Sequence, residues 1–199
     1  TEAEQFLNEL VKKKVIRPLQ VFENAHMSPA LFLRKPKDGG IRKVVDFRVL
    51  NSYSLPWVGP MEVGGVLGVL RSIPQQWKIF SVLDLQSAFA NIPVSSNLQE
   101  LFGFFHKNKR FTYVTLPQGW GSSSSLFHHR VVRLLSHLPV RVYIDDLLLG
   151  GTNQETHDAN LIAVLRELEE IGFHLNFSKC QISSSRVSFI GFDVDRKST

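Results

Sequence analysis

The sequence lacks the features that mark membrane, secreted and disulfide-stabilised proteins. No stretch approaches the ~18 uninterrupted apolar residues that a membrane-spanning helix needs. The chain does not start with a basic segment followed by an apolar one, so no secretory signal is expected. It also has no initiator methionine, which suggests a piece of a longer polyprotein. The single cysteine, Cys180, excludes an intrachain disulfide and a cysteine-based zinc cluster, and we expect a small packing residue in a reducing compartment.

Two further absences narrow the chemistry. The sequence has no Walker-type glycine loop, so no phosphate-binding loop of that kind is predicted. The histidines show no metal-ligand spacing and are expected to be structural or surface residues: His26, His106, His128, His129, His137, His157 and His174. Neither a nucleotide-binding glycine loop nor a histidine metal centre is therefore expected.

Positive charge is in mild excess and is unevenly distributed. Lysine and arginine number 23 and aspartate and glutamate 18, which gives a net charge of +5. One basic cluster lies between Arg34 and Arg48, and a second covers residues 12–17. This pattern is compatible with a polyanionic partner, although a solvated face is the alternative for either cluster.

The pattern of apolar residues predicts an α+β fold. Helical spacing is found at 4–13, in a short segment ending near Arg71, at 126–138, and from a capping box of Thr152 and Glu155 to Gly172. Strand-like segments lie at 30–33, 41–47, 79–84, 101–105, 111–116, 140–144, 147–149, 173–177 and 187–194. This order predicts an antiparallel sheet that carries helices on one side.

Three carboxylates stand at the ends of strongly apolar strands. Asp145 and Asp146 lie at the bend between strands 140–144 and 147–149, and Asp84 is predicted to end the strand that begins at Ile79. A surface turn or a cap is the ordinary alternative for each. If the strands lie side by side, the carboxylates repel one another unless a cation is present. Mg²⁺ prefers such oxygen ligands, and two such ions can activate a hydroxyl and stabilise a leaving oxygen.

Over about residues 15–195 the sequence resembles retroviral reverse transcriptases. The resemblance is carried by motifs in the family's order: 33–36 (Leu-Arg-Lys-Pro) with 41–51, 83–89 (Leu-Asp-Leu to Ala-Phe), 116–120 (Leu-Pro-Gln-Gly-Trp), 143–146 (Tyr-Ile-Asp-Asp) and 189–192 (Phe-Ile-Gly-Phe). The Leu-Pro-Gln-Gly form favours retroviruses and endogenous retroviruses, including foamy-like ones. One departure is Ser122–Ser125, where the family has a Ser-Pro pair.

The resemblance implies a metal-dependent catalytic site. Asp84 and Asp145 would be the main ligands of two Mg²⁺ ions, with Mn²⁺ as a substitute. Asp146 would lie beside them, and the Leu85 carbonyl would contribute. Their expected role is a two-metal nucleotidyl transfer.

The resemblance also implies a nucleotide-binding set, which consists of Lys35, Arg42, Ala88, Phe89, Gln118, Tyr143 and Lys179. Lys35 and Arg42 would grip the triphosphate, and Gln118 would contact the incoming nucleotide. Phe89 would exclude a ribose 2′-hydroxyl, and Lys179 would protonate the leaving pyrophosphate. The alternatives are solvated charges, a turn amide, a core phenylalanine and a surface lysine.

The implied architecture is the right-hand polymerase fold without its thumb. Residues 1–60 and 92–122 would form the fingers, and residues 61–91 and 123–199 the palm. The thumb, connection and ribonuclease H regions expected of the family would belong to the remainder of the polyprotein.

The implied activity is addition of deoxynucleotides to a primer 3′ end on an RNA or DNA template, in the virion or the host cytoplasm and without a membrane. The rival interpretation is a catalytically weak fragment that binds nucleic acid or has a structural role.

Overall fold

The computed structural model describes residues 1–34, 36, 39–55 and 65–195. The chain divides into two compact units, Thr1–Trp57 with Phe89–Ser123, and Val58–Ala88 with Ser124–Thr199. Lys35, the tip residues Lys37 and Asp38 and part of the predicted connector at 55–68 lie outside the described residues. The predicted boundaries of fingers and palm remain predictions.

The elements alternate between short strands and helices. In chain order they are α1 (Glu2–Lys12), β1 (Ile16–Pro18), β2 (Met27–Ser28), β3 (Ala30–Arg34), β4 (Ile41–Val45), α2 (Arg48–Tyr53), α3 (Gly65–Arg71), β5 (Ile79–Gln86), a 3₁₀ turn (Ala88–Asn91), α4 (Ser96–Gln99), β6 (Gly103–His106), β7 (Lys109–Tyr113), α5 (Ser123–Leu135), β8 (Val140–Tyr143), β9 (Asp146–Gly151), α6 (Gln154–Ile171), β10 (His174–Leu175), a second 3₁₀ turn (Phe177–Lys179), β11 (Gln181–Ser184), β12 (Arg186–Phe189) and β13 (Phe192–Asp195). None of the helices in the described ranges is long and apolar enough to cross a membrane.

The first unit is built on a small sheet and a hairpin. The sheet has the strand order β1-β7-β6-β2, with β2 and β6 parallel, and β3 pairs with β4 as a separate antiparallel hairpin. Aromatic side chains fill its core: Phe102, just before β6, and Tyr113 of β7 pack against Phe47, and Phe104 of β6 packs against Tyr113. The structure confirms that segments 30–47 and 101–116 each form an antiparallel hairpin.

The second unit is built around strand β5, an inner strand of an antiparallel sheet. On one side β5 pairs with β9, which in turn pairs with β8, and on the other side β5 pairs with β10 and β11. Because side chains alternate along a strand, Phe80 and Val82 face a cluster that includes Val69 of α3. Ser81 faces the opposite side and hydrogen-bonds to His157 of α6. Helices therefore border both faces, whereas the sequence predicted them on one side.

Several predicted boundaries were wrong by a few residues. Strand β5 continues past Asp84 to Gln86, so Asp84 does not end it. The segment predicted as one strand at 187–194 is a hairpin of two strands. Helix α6 is capped by Asn153 with Thr156 rather than by Thr152 with Glu155, because the Asn153 carboxamide accepts the Thr156 N–H. Its predicted end is confirmed, since Gly172 adopts a left-handed φ of 85°.

Candidate active site

Two of the predicted catalytic carboxylates face each other across a strand pair. Antiparallel pairing of β5 with β9 sets Asp84 directly opposite Asp146. Side chains opposite each other on an antiparallel ladder are neighbours, and like charges there are destabilising. The pairing therefore accumulates negative charge at one end of the sheet, beyond the apolar pairs Val82–Leu148 and Leu83–Leu147.

The third carboxylate, Asp145, lies in the tight turn that joins β8 to β9. Strand β8 ends at Tyr143 and β9 begins at Asp146, so Ile144 and Asp145 form the loop. Ile144 has a φ of 56°, a left-handed conformation that strongly disfavours a β-branched residue and costs about 1–3 kcal/mol. Such strain persists only where surrounding contacts impose it.

Backbone hydrogen bonds hold both loop residues. The Leu85 N–H donates to the Asp145 carbonyl at 3.1 Å, which ties the loop to β5. The Ile144 N–H donates to Nδ1 of His128 at 3.2 Å. The segment that carries Asp145 is thus attached to the strand that carries Asp84.

A lysine ammonium contacts this carboxylate cluster. Lys179 Nζ donates to both carboxylate oxygens of Asp84, at 3.0 Å and 3.3 Å. The second 3₁₀ turn keeps Lys179 within reach, because the Asn176 N–H donates to the Asp84 carbonyl at 2.9 Å and the Lys179 N–H to the Asn176 carbonyl at 2.9 Å. The position predicted to supply a proton therefore lies against a predicted metal ligand.

The pKa shifts show that the carboxylates and Lys179 interact electrostatically. The hydrogen bond to Asp84 raises the pKa of Lys179, and the negative charges of Asp145 and Asp146 raise it further. Burial raises the pKa of Asp146, and the charges of Asp145 and Asp84 add to that effect. All three carboxylates thus act on one ammonium group, as they would on any cation placed there.

The donor set fits a hard divalent cation in its chemistry. Carboxylate oxygens are the ligands that Mg²⁺ prefers, and three of them at one end of a sheet need a positive charge nearby. Within the described ranges, no three or more His, Cys, Asp or Glu side chains are grouped so as to hold a metal ion as they stand. The Asp84 carboxylate is instead paired with Lys179, which supplies a single positive charge.

Other predicted site residues of the second unit lie near the carboxylates in sequence and structure. Tyr143 ends β8 beside the loop, and its ring centroid lies 6.4 Å from that of His128. Leu85, whose carbonyl was predicted as a ligand, is a buried residue of β5. Ala88 is also buried, at the start of the first 3₁₀ turn.

The remaining predicted nucleotide-binding residues belong to the first unit. Arg42 is exposed on β4, opposite Leu33. Gln118 is exposed and follows the buried Pro117, and Phe89 is half-buried in the first 3₁₀ turn. Lys35 lies outside the described residues. The predicted site residues are therefore divided between the two units.

The surroundings of two residues, His128 and Lys43, were not recognised from the sequence. His128 was predicted only as a structural or surface histidine, and its bond to the loop of Ile144 and Asp145 depends on tertiary packing. Lys43 was counted among solvated or phosphate-binding charges, whereas its Nζ is buried 4.1 Å from the ring centroids of Phe104 and Tyr113. No local sequence signal distinguishes either residue from its neighbours.

Comparison with known proteins identifies the fold and then the family. Solved foamy viral protease-reverse transcriptases superpose on 98% of this chain with a TM-score of 0.84 and 28% sequence identity, in complex with double-stranded DNA and with an RNA/DNA hybrid. The matched regions are 34% and 25% of those chains. The chain thus has the fingers-palm fold of a reverse transcriptase. It belongs to the family described as reverse transcriptase (RNA-dependent DNA polymerase), whose profile matches residues 33–194.

Curated relatives are polyproteins of a transposon and a virus. The Transposon Tf2-3 polyprotein of Schizosaccharomyces pombe is 28% identical over 194 residues, which are 96% of this chain and 14% of that polyprotein. The Pro-Pol polyprotein of Simian foamy virus type 1 is 27% identical over 192 residues, which are 96% of this chain and 16% of that polyprotein. The chain therefore spans only a small part of the length of these relatives.

Proposed function

We propose that this chain is the polymerising core of a reverse transcriptase, adding deoxynucleotides to a primer 3′ end on an RNA or DNA template. The observation that carries the proposal is the position of Asp84 directly opposite Asp146, with Asp145 in the adjoining loop and the Lys179 ammonium 3.0 Å from Asp84. Strand pairing and the strained loop hold these charged groups together at a cost in stability, which is typical of a catalytic site.

In the proposed mechanism, Asp84 and Asp145 are the main ligands of two Mg²⁺ ions, with Asp146 and the Leu85 carbonyl beside them. When bound, these ions would supply activation of the primer hydroxyl and stabilisation of charge on the leaving group. Mn²⁺ would substitute for Mg²⁺. The primer 3′ hydroxyl would lose its proton to solvent as its oxygen bonds to the α-phosphorus of the nucleotide, and the bond from that phosphorus to the leaving pyrophosphate would break.

Lys179 would deliver a proton to the departing pyrophosphate. Its contact with Asp84 supports this role, because a lysine held against the carboxylate cluster is within reach of a triphosphate bound there. The hydrogen bond and the surrounding carboxylates raise the pKa of Lys179, so the group is charged at neutral pH. The Lys179 ammonium would break its hydrogen bond to Asp84 and donate a hydrogen bond to the phosphate oxygen instead.

The remaining predicted residues would bind the nucleotide. Lys35 and Arg42 would contact the triphosphate, and Gln118 the base or sugar of the incoming nucleotide. Phe89 would exclude a 2′-hydroxyl, and Ala88 and Tyr143 would also contact the nucleotide. These roles are supported by the resemblance to the family, together with the exposure of Arg42 and Gln118.

The nucleic acid partners would be a template with its primer. The similar foamy viral reverse transcriptases are in complex with double-stranded DNA and with an RNA/DNA hybrid, which supports both kinds of duplex as partners. Contacts would go mainly to the phosphate backbone, because a polymerase must accept any sequence. The thumb, connection and ribonuclease H regions of a polyprotein would be further partners, and the virion or host cytoplasm the place of action.

The test is primer extension on an RNA template with Mg²⁺ or Mn²⁺. We expect the wild-type chain to extend the primer and Asp145→Asn to lose at least ~100-fold in kcat, because one ligand carboxylate is removed while the loop backbone is kept. Glu169→Gln on the exposed face of α6 is the control, since it removes a carboxylate away from the cluster. Full activity in a folded Asp145→Asn variant would refute the assignment.

A further inference from the structure

The loop that carries Asp145 has a strained backbone and needs an external support. Ile144 is a β-branched residue with a φ of 56°, a conformation that few side chains adopt. Its N–H lies at the first position of the loop, beyond the last ladder pair, Tyr143 with Asp146. A backbone N–H at such a position has no acceptor in the ladder and bonds either to water or to a group outside the two strands.

The acceptor is a buried histidine on helix α5. Nδ1 of His128 lies 3.2 Å from the Ile144 nitrogen, and His128 is only 2% exposed. Accepting this bond requires an unprotonated Nδ1, so the proton of a neutral imidazole is on Nε2. The ring also lies beside Tyr143, with a centroid separation of 6.4 Å. His128 therefore contacts two consecutive residues that lead into Asp145.

The helix gives the histidine a fixed position. Phe127, Val131 and Leu135 bury the same side of α5 at helical spacing, and each is at most 2% exposed. On the other side of the loop, the Leu85 N–H donates to the Asp145 carbonyl at 3.1 Å. The loop is thus held at its first residue by α5 and at its second residue by β5.

We infer that His128 is a positioning residue for Asp145: its Nδ1 fixes the Ile144 N–H and thereby the backbone from which the Asp145 carboxylate projects. The inference rests on the proposed polymerase function. It predicts that loss of the acceptor lowers the rate of the chemical step rather than nucleotide affinity, because displacing a reacting group by about 1 Å can cost on the order of 10²-fold.

A pair of nearly isosteric substitutions separates the hydrogen bond from packing. His128→Asn keeps an acceptor on the atom attached to Cγ, whereas His128→Leu keeps a similar volume without one. We expect His128→Leu to lower kcat at least ~10-fold while the KM for deoxynucleotide stays within about twofold, and His128→Asn to keep kcat within about threefold of wild type. Val131→Ala, a buried change on the same helix, controls for loss of packing and should keep kcat wherever it is folded.

Hydrogen exchange measures the contact without polymerisation. The Ile144 amide should be protected in the wild-type chain although it lies outside the strand ladder, and should exchange at least ~10-fold faster in His128→Leu than in Val131→Ala. Rapid exchange of Ile144 in the wild type would overturn the inference even if the leucine variant does not fold. Equal kcat in the asparagine and leucine variants would also overturn it. A wild-type chain that extends no primer would contradict the proposed function, whereas exchange would still decide whether His128 holds the loop.

Discussion

At the scale of single residues, Lys43 illustrates a charge that the fold keeps away from water. Its side chain leaves β4 on the inner face of the hairpin, and its Nζ has no hydrogen-bond partner among the described residues. The faces of Phe104 and Tyr113, each 4.1 Å from the ammonium, offer cation–π attraction as partial compensation. Burial nevertheless lowers the pKa of Lys43 from its ordinary value of 10.5 to about 7.

This shift predicts that stability rises with pH. Below pH 7 Lys43 is charged in both the folded and the unfolded chain, so the folded chain carries the full cost of burying the charge. Between pH 7 and 10.5 the folded chain has lost this proton whereas the unfolded chain still binds it, so raising the pH favours the folded chain. The free energy of unfolding should rise across that window by on the order of 3–5 kcal/mol. Chemical denaturation at several pH values checks this. Lys43→Met should abolish the rise, and the exposed Lys109→Met should leave it; an unchanged rise in Lys43→Met would contradict the account.

Replacing Asp146 with a neutral residue is expected to raise stability and to lower activity. Burial and the neighbouring carboxylates raise the pKa of Asp146, so its ionised form is destabilised in the folded chain. This cost is present at neutral pH and disappears at pH values below the unfolded pKa, where the carboxyl is protonated in both states. Asp146→Asn should therefore raise the thermal midpoint by a few degrees at pH 7, with little change near pH 3, while slowing primer extension. A lower midpoint at pH 7 would contradict this reasoning.

The sequence was sufficient to find the carboxylates but not their surroundings. Asp84, Asp145 and Asp146 stand out because carboxylates are unusual next to strongly apolar strands. The bonds of Asp84 to Lys179 and of Ile144 to His128 join residues far apart in the chain. Such partners are fixed by strand register and helix packing, on which a local pattern carries no information.

At the scale of elements, the end of strand β9 determines how closely α6 approaches the sheet. A Cβ on Gly150 would lie 2.6 Å from the Trp77 ring, and a Cβ on Gly151 would overlap the backbone of His157. The absence of a side chain at Gly151 lets the first turn of α6 contact strand β9. Ser81 and His157, both fully buried, then bond at 2.9 Å between β5 and α6.

Gly151→Ala should be strongly destabilising. Its Cβ would meet main-chain atoms of α6, which can move away only if the helix shifts, and overpacking of this kind typically costs about 1–3 kcal/mol. Equilibrium denaturation checks the free energy of unfolding. Gly121→Ala is the control because its Cβ would lie 3.5 Å from the Asn51 side chain, an ordinary contact. Equal stability of the two variants would show that the close approach is not needed.

Elements with a long periodic pattern were predicted, and several short ones were missed. Helices α1, α5 and α6 carry helical spacing over several turns, and their existence was correctly predicted. Strands β1, β2 and β11 have between two and four residues, too few for a period to be recognised. Strand β5 was predicted too short because a carboxylate usually ends an apolar strand, whereas pairing with β10 continues β5 past Asp84 to Gln86.

At the scale of the whole molecule, the proposed activity depends on both units. The carboxylates and Lys179 belong to the second unit, and Arg42, Phe89 and Gln118 to the first. The net charge of +5 favours a polyanionic partner in general, but it does not separate nucleotide contacts from duplex contacts. These two kinds of contact can be separated by replacing one basic residue and measuring its effect on nucleotide affinity and on duplex affinity.

Arg42→Ala should raise the KM for deoxynucleotide by at least ~10-fold and weaken duplex binding by less than about threefold, because its proposed partner is the triphosphate. Duplex affinity itself should fall steeply with salt, by roughly 0.9 log units per phosphate contact for each log unit of salt. Extension kinetics and duplex titration at two salt concentrations give both quantities. A binding fragment would show the opposite pattern, with loss of duplex affinity and no dependence on nucleotide.

The most direct measurement is the identity of the nucleotide added opposite each template base. A labelled primer on RNA and DNA templates would be incubated with the wild-type chain, a divalent cation and one deoxynucleotide at a time, with Asp145→Asn as the inactive reference. The account predicts that only the complementary deoxynucleotide is added, on both templates, and that the variant adds none. Addition that ignores the template base, or none by a folded wild-type chain at saturating primer–template, would contradict it.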